Sequence, residues 1–426
     1  MFDPKPVGSV ASSKPAISFT GPKPLKILSK GNLFQAWNFS RDSTTRAGSA
    51  GVDNVTAKQF AANLDANLNE IKKRLHDGSY GFSKLRPVFI QKPGTSKERV
   101  ICIPTVRDRI VQRAIVSYLA TSEKFPIYNN SSFGFIKGQG TGKAVQKAVE
   151  LRSLYEWCVK ADIESFFDQV PRPFLKERVS AALQNHSLVP LIHNAIDCDI
   201  KGTGEVIARA TAHGIKGGLG IRQGMPLSPL LANLTLSKFD RSVEAQQIPM
   251  VRYADDLLLF FSTEEEAKHG QGFVEDHLGR VNLKLSQTKT KIFGPESNII
   301  FLGLEIAFLE KLDKYVARVS RPQIQKIKKR LEADYSYITA TKSLSTLNEL
   351  SIRLSRSIAA YLGVYRNAHD YSILLMELEN IMKLILSNLY SEIFGEDVCD
   401  NLDERAKRFL GIDLDMPQAA HDLDWS

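Results

Sequence analysis

At 426 residues the chain is long enough for two to four packed units, at roughly 150 residues per domain. Its 43% hydrophobic and 24% charged residues exclude a largely disordered protein, and no apolar run reaches the length of a membrane span. The net charge of +9 is unevenly placed: from Ser391 onward ten acids face three bases, which leaves the body at about +16 and suited to a polyanion.

Five of the 18 prolines fall within the first 30 residues, beside Gly and Ser, so this stretch reads as an extended arm. The prolines also interrupt any signal-peptide core, and the expected location is cytoplasmic, with no membrane partner. From Asn54 to Leu75, apolar residues at helical spacing (Phe60, Leu64, Leu68, Ile71, Leu75) predict one helix, ended by His76-Asp77-Gly78. Leu85 to Gln91 and Glu98 to Ile103 predict two strands around the basic turn KPGTSK. Helical spacing returns from Thr105 to Leu119, and GQGTGK at Gly138 to Lys143 follows. That segment is not a phosphate-binding P-loop: it is one residue short of the required spacing, and Ala144 stands where a Ser or Thr is needed.

Tyr155 to Ala161 predicts a buried strand ending in Asp162, and Pro226 to Val243 an apolar helix. MVRYADDLLLFFS has two β-rich runs around an acidic centre, the pattern of a hairpin. Beyond Ser320 the apolar spacing is helical, and between Arg318 and Arg366 ten bases face three acids. A basic helical bundle is expected there. Cys102, Cys158, Cys198 and Cys399 lie too far apart in sequence for a zinc ribbon or a redox pair, and suit a reducing compartment.

The strongest chemical signal is Tyr253-Ala254-Asp255-Asp256. Two carboxylates at a hairpin tip, among Val251, Leu257, Leu258 and Phe260, are costly unless compensated, and divalent cations are the usual partners. A simple charged turn is the plain alternative. Asp162 supplies a second strand-end acid, for which capping of the following helix is the alternative role. Two strand-end acids meeting across one sheet can hold two Mg²⁺ ions.

AGSAGVDNVT, RVICIPTVRDRIVQRA, SSFGFIKGQGTGKAV, KADIESFFDQV, GIRQGMPLSPLLANLTLSKFD, RYADDLLLF, LSQTKTKI and FLGLEI occur in that order between residues 48 and 310. Each resembles a successive motif of reverse transcriptases, most closely the bacterial group II intron-like branch. The resemblance implies an α/β (α+β) right-hand polymerase fold: fingers and palm with a ferredoxin-like antiparallel sheet, then an all-helical thumb. The implied boundaries are an N-terminal Pro-rich arm and extension over 1–47, fingers over 48–155, palm over 156–310, thumb over 311–395 and an acidic tail over 396–426.

The resemblance implies Asp162, Asp255 and Asp256 as catalytic acids and metal ligands, with the Ile163 carbonyl as a further ligand. Two Mg²⁺ ions are implied, with Mn²⁺ as a substitute. It implies Lys92, Arg99, Phe167, Gln223 and Lys289 at the deoxynucleoside triphosphate (dNTP). Phe167 takes the steric-gate position and Phe166 faces the core; Gln223 has helix capping as its alternative role; Lys291 rivals Lys289 as general acid. Lys326, Lys329 and Arg330 on the thumb are implied contacts to nucleic-acid phosphates.

The implied activity is RNA-directed DNA synthesis, with a structured RNA template and a cDNA product. No His/Cys-rich endonuclease segment follows the thumb, SPLLAN differs from the SQ of diversity-generating elements, and only His193-Asn194-Ala195 approaches the retron NAxxH stretch. The expectation is a stand-alone, defence-associated reverse transcriptase that copies a dedicated non-coding RNA against phages. The alternatives are a group II intron-type maturase or RNA-binding protein, or an RNA-dependent RNA polymerase.

Overall fold

The computed structural model describes residues 27–44, 49–91, 98–122, 125–184, 186–342, 346–395 and 401–410. The arm before residue 27, the 92–97 turn with Lys92, and residues 396–400 and 411–426 of the expected tail lie outside the described residues. The chain divides into two compact units, Met1–Gly140 with Val159–Ile292, and Thr141–Cys158 with Phe293–Ser426.

In the first unit, strand β1 (Arg86–Gln91) pairs antiparallel with β2 (Glu98–Ile103), as the sequence predicts. Val100 and Cys102, alternate residues of β2, are buried, whereas Arg99 between Glu98 and Val100 is exposed. The Val106–Leu119 helix follows β2 in the chain, capped by Thr105, whose side chain accepts the Asp108 N–H. The single helix expected from Asn54 to Leu75 is two, Ala57–Ala62 and Leu64–His76. The break falls at Asn63, at φ −127° and ψ 40°, where the Phe60 carbonyl accepts both the Asn63 N–H and the amide side chain of Asn67. The Lys30–Thr44 helix, within the segment expected as arm and extension, packs against Val106–Leu119. It buries Leu33 and Trp37, with the Trp37 ring 5.4 Å from Phe60.

The central sheet has the strand order β4 (Met250–Tyr253), β5 (Asp256–Phe261), β3 (Trp157–Asp162), β6 (Lys291–Phe293). Helices intervene between β3 and β4 and between β5 and β6, so chain order and sheet order together are ferredoxin-like. Leu257, Leu258, Leu259 and Phe260 are all buried, because helices cover the sheet and leave no wet face for alternation to mark. The Ser228–Ala245 helix buries an almost continuous set of side chains from Leu230 to Leu236, matching the apolar helix expected there.

In the second unit, β7 (Ile299–Phe301), β8 (Leu304–Leu309) and β9 (Lys314–Arg318) form an antiparallel meander. Strand β9 lies beyond residue 310, so the part of the chain expected to be an all-helical thumb from 311 carries a short 3-10 turn and a strand before its helices begin. Thr141–Leu154 packs on β9 and carries fully buried Arg152, which donates to the carbonyls of Glu156, Gly294 and Pro295. The expected helices follow as Arg321–Asp334, Leu347–Tyr365 and Tyr371–Phe394. Leu350, Leu354, Ile358 and Leu362 bury one stripe of the second against the third. Among the described residues no helix is long and apolar enough to cross a membrane.

Candidate active site

The sheet brings Asp162, Asp255 and Asp256 to one end. Tyr253 pairs with Asp256 across β4 and β5, so Ala254 and Asp255 form a two-residue turn. Ala254 has φ 58°, the left-handed conformation such a turn needs at its first position, and holding a side chain there costs about 1 kcal/mol. Strand β3 lies beside β5 and ends at Asp162. The Ile163 N–H donates to the Asp255 carbonyl at 3.3 Å. On the other side, Ser286 N–H donates to the Asp162 carbonyl and Glu164 N–H to the Lys284 carbonyl. The Ile163 carbonyl therefore faces the hairpin tip along with its own N–H.

This tip is held from beneath. Arg252, fully buried, donates to both carboxylate oxygens of fully buried Asp240 at 2.7 and 2.5 Å, to Asn233 Oδ1 at 3.0 Å and to the Ala254 carbonyl at 3.0 Å. Asn129 donates to the same Asp240, and Asn233 to the Gly134 carbonyl. Gly134 lies against the turn so closely that a Cβ would stand 2.6 Å from the Ala254 nitrogen. Sequence reasoning overlooks Arg252, Asp240, Asn233 and Gly134. The signal available for the first three is polar residues in otherwise apolar segments, LANLTLSKFD and VRYADD.

Electrostatics at the sheet end favour a cation. Burial raises the Asp255 carboxyl above its usual range, with the Asp162 charge adding to the effect. Asp256 is pushed up to about 6, first by burial and then by Asp162 and Asp255, against the opposing charge of Lys160. Oδ1 of Asp256 is buried without a hydrogen-bond partner, and the Lys160 ammonium is 3.9 Å away. Among the described residues no three acidic, His or Cys side chains enclose an ion by themselves. The Asp256 oxygen that accepts no hydrogen bond, with Asp162 and Asp255 beside it, fits a divalent ion, since a carboxylate kept from water by its neighbours gains most from such a charge.

Lys289 donates to Asp162 Oδ2 at 2.9 Å, while Lys291 begins β6 as an exposed residue. Arg99 is exposed on β2, and its charge acts to lower the Asp255 carboxyl's affinity for a proton. Phe166 is buried and Phe167 half-buried, the rings meeting edge to face at 5.5 Å. Gln223 accepts the Cys102 N–H through its main-chain carbonyl at 2.7 Å, which ties its loop to β2. Gly224, at φ 106°, lets that loop approach: a Cβ would stand 2.7 Å from the Cys102 carbonyl. Neither alternative capping role is present. The Phe166–Gln169 helix starts at Ser165 and the Ser228–Ala245 helix at Leu227, neither with a side-chain cap. Lys326, Lys329 and Arg330 lie on the Arg321–Asp334 helix of the second unit, all three exposed, with Arg330 within 3.6 Å of Asp334.

The family model for reverse transcriptase (RNA-dependent DNA polymerase) matches residues 90–306, just over half of the chain. The chain belongs to the reverse transcriptase family. It is 27% identical over 308 residues to Protein YkfC of Escherichia coli (strain K12), covering 61% of this chain and 76% of that protein. It is 26% identical over 201 residues to the group II intron-encoded protein LtrA of Lactococcus lactis subsp. cremoris, covering 47% of this chain and 32% of LtrA. With the Retron Ec83 reverse transcriptase of Escherichia coli the identity is 24% over 222 residues, covering 50% of this chain and 60% of that protein. The chain thus spans about a third of LtrA and about three quarters of YkfC. Reverse transcriptases are RNA-directed DNA polymerases that use divalent metal ions, bind RNA templates and make cDNA. The ferredoxin-like sheet with its surrounding helices agrees with the right-hand polymerase class expected from the sequence.

Proposed function

We propose that this chain copies RNA into DNA at the Asp162, Asp255 and Asp256 end of the central sheet. The observation that carries the reading is the buried Asp256 oxygen that accepts no hydrogen bond, beside two further acids and inside the segment that matches the family. The three carboxylates and the Ile163 carbonyl would hold two Mg²⁺ ions, with Mn²⁺ as a substitute. Ions bound there would lower the pKa of a primer 3′-hydroxyl and offset the charge of the triphosphate. Arg99 and Lys92 bind the triphosphate by charge, and Gln223 lines the pocket over the base and sugar. Phe167 packs where a ribose 2′-hydroxyl would go and so favours dNTPs. Lys289, which donates to Asp162 at 2.9 Å, delivers a proton to the departing pyrophosphate. Lys326, Lys329 and Arg330 grip duplex phosphates without reading sequence.

A dedicated structured non-coding RNA serves as template, and the cDNA acts in anti-phage defence. This part rests on the similarity to a retron reverse transcriptase. The fingers, palm and thumb follow residues 48–155, 156–310 and 311–395. Purified protein supplied with a primed RNA template, Mg²⁺ and labelled dNTPs or rNTPs tests the activity. DNA synthesis from dNTPs supports it; synthesis from rNTPs alone would make the protein an RNA polymerase, and RNA binding without synthesis would make it a maturase-like scaffold. Sequencing the copurifying nucleic acid tests the template: a single dominant RNA with its cDNA supports a dedicated partner, and a mixed pool removes it.

A further inference from the structure

The β1–β2 hairpin has two chemically different faces. Alternation places Phe89, Gln91, Glu98 and Val100 on one side and Ile90 and Arg99 on the other. Arg99 is the candidate triphosphate ligand. Its neighbour Glu98, pointing the opposite way, is gripped by a helix about 110 residues later in the chain.

That helix, Gly204–Ala212, is locally well specified. Thr203 caps it by accepting the Val206 N–H, and Gly214 at φ 101° turns the chain away after His213. Its last turn carries Arg209, which donates to both oxygens of Glu98, Nε at 3.0 Å and Nη2 at 2.5 Å. His213 Nε2 lies 3.1 Å from the same carboxylate. The Arg209 guanidinium is also stacked over the Phe89 ring at 4.2 Å, so it holds both strands of the hairpin at once. Glu98 is only about one-fifth exposed, and Arg209 keeps its carboxyl below the usual range.

The geometry points to Arg209, Glu98 and His213 as a latch that positions the hairpin, and with it Arg99, over the incoming nucleotide. The inference rests on the polymerase reading of the site. A two-stranded hairpin is marginally stable by itself and needs such a tie to keep one angle. The pleat then converts a clamp on Glu98 into a fixed position for the next residue on the opposite face. These are positioning residues, because none of them meets the triphosphate. The tie is bidentate and stacked, so a lysine at position 209 is not equivalent to the arginine.

Steady-state dNTP kinetics and hydrogen exchange test the latch together. Arg209→Ala and Glu98→Gln should each raise the KM for dNTP about three- to tenfold, with kcat and affinity for primed RNA within about twofold. Arg209→Lys should recover only part of the loss, and the exchanged pair Glu98→Arg with Arg209→Glu should recover most of it. In the nucleotide-free protein, the β1 and β2 amides should exchange faster in Arg209→Ala than in wild type. An unchanged KM and unchanged exchange would overturn the latch; so would a fall in kcat and unfolding temperature with KM unmoved, which marks a purely structural tie. The polymerase reading fails separately, by absence of DNA synthesis in the wild type, and the exchange experiment still decides the latch in that event.

Discussion

At the residue scale, the proposed discrimination between sugars depends on which of two adjacent rings lines the nucleotide pocket. Phe166 is 1% exposed, so Phe166→Ala should destabilise the protein by about 3–5 kcal/mol, read by denaturant unfolding. Half-buried Phe167 can give way without loss of the core. Phe167→Ala should raise rNTP incorporation relative to dNTP in single-nucleotide kinetics; unchanged discrimination there, with a loss in Phe166→Ala, would reverse the two rings. The acids at the sheet end make a second prediction. The native pKa of Asp256, about 6, lies above that of an unfolded aspartate, so the native state binds more protons between roughly pH 4 and 6. The stability this contributes is present below about pH 4 and is lost as pH rises through about 6, by on the order of 1–3 kcal/mol. Thermal unfolding in a chelator should therefore show metal-free stability falling across that window. Stabilisation by added Mg²⁺ should grow over the same range, because binding displaces the proton. Equal Mg²⁺ protection at about pH 5 and about pH 8 would count against the metal assignment.

At the element scale, the β4–β5 hairpin presents the acids only as long as its support holds. Asp240→Asn leaves the Arg252 charge without its buried partner and should cost about 3–5 kcal/mol in chemical denaturation. Gly134→Ala is subtler: the added methyl must displace Ala254 and so should reduce kcat by about tenfold or more. Affinity for primed RNA should stay near wild type, and a wild-type kcat would show that the turn tolerates the shift. Local elements were largely legible in the sequence for physical reasons. The two β-rich runs around Ala254-Asp255 carry their own turn signal, and the long helices after Ser320 show their buried stripe at regular spacing. The helix break at Asn63 was not legible, because asparagine interrupts a helix only when a local hydrogen bond supports the interruption. The Lys30–Thr44 helix was hidden too, since its polar residues and the preceding prolines obscure the stripe formed by Leu33 and Trp37. Of the site, the motif acids could be read because they adjoin one another or end a strand. Their support could not, because Arg252 and Asp240 meet through a helix and a strand, and Glu98 and Arg209 across more than a hundred residues.

At the scale of the whole molecule, an excess of positive charge outside the acidic tail should make binding to nucleic acid fall steeply with salt. Charge reversal at Lys326, Lys329 or Arg330 should lower affinity and reduce the salt slope by about one for each phosphate no longer neutralised, measured by titration at several salt concentrations. Unchanged slopes would remove those residues from the interface. Binding and chemistry belong to different groups in this account, the first to distributed bases and the second to three acids at one sheet end. The most direct test is template-dependent addition of one dNTP by purified wild-type, Asp162→Ala and Asp255→Ala proteins, with primed-RNA affinity measured on the same samples. Both variants should bind as the wild type does and add no nucleotide; addition at near wild-type rate by either would remove the three acids from the chemistry.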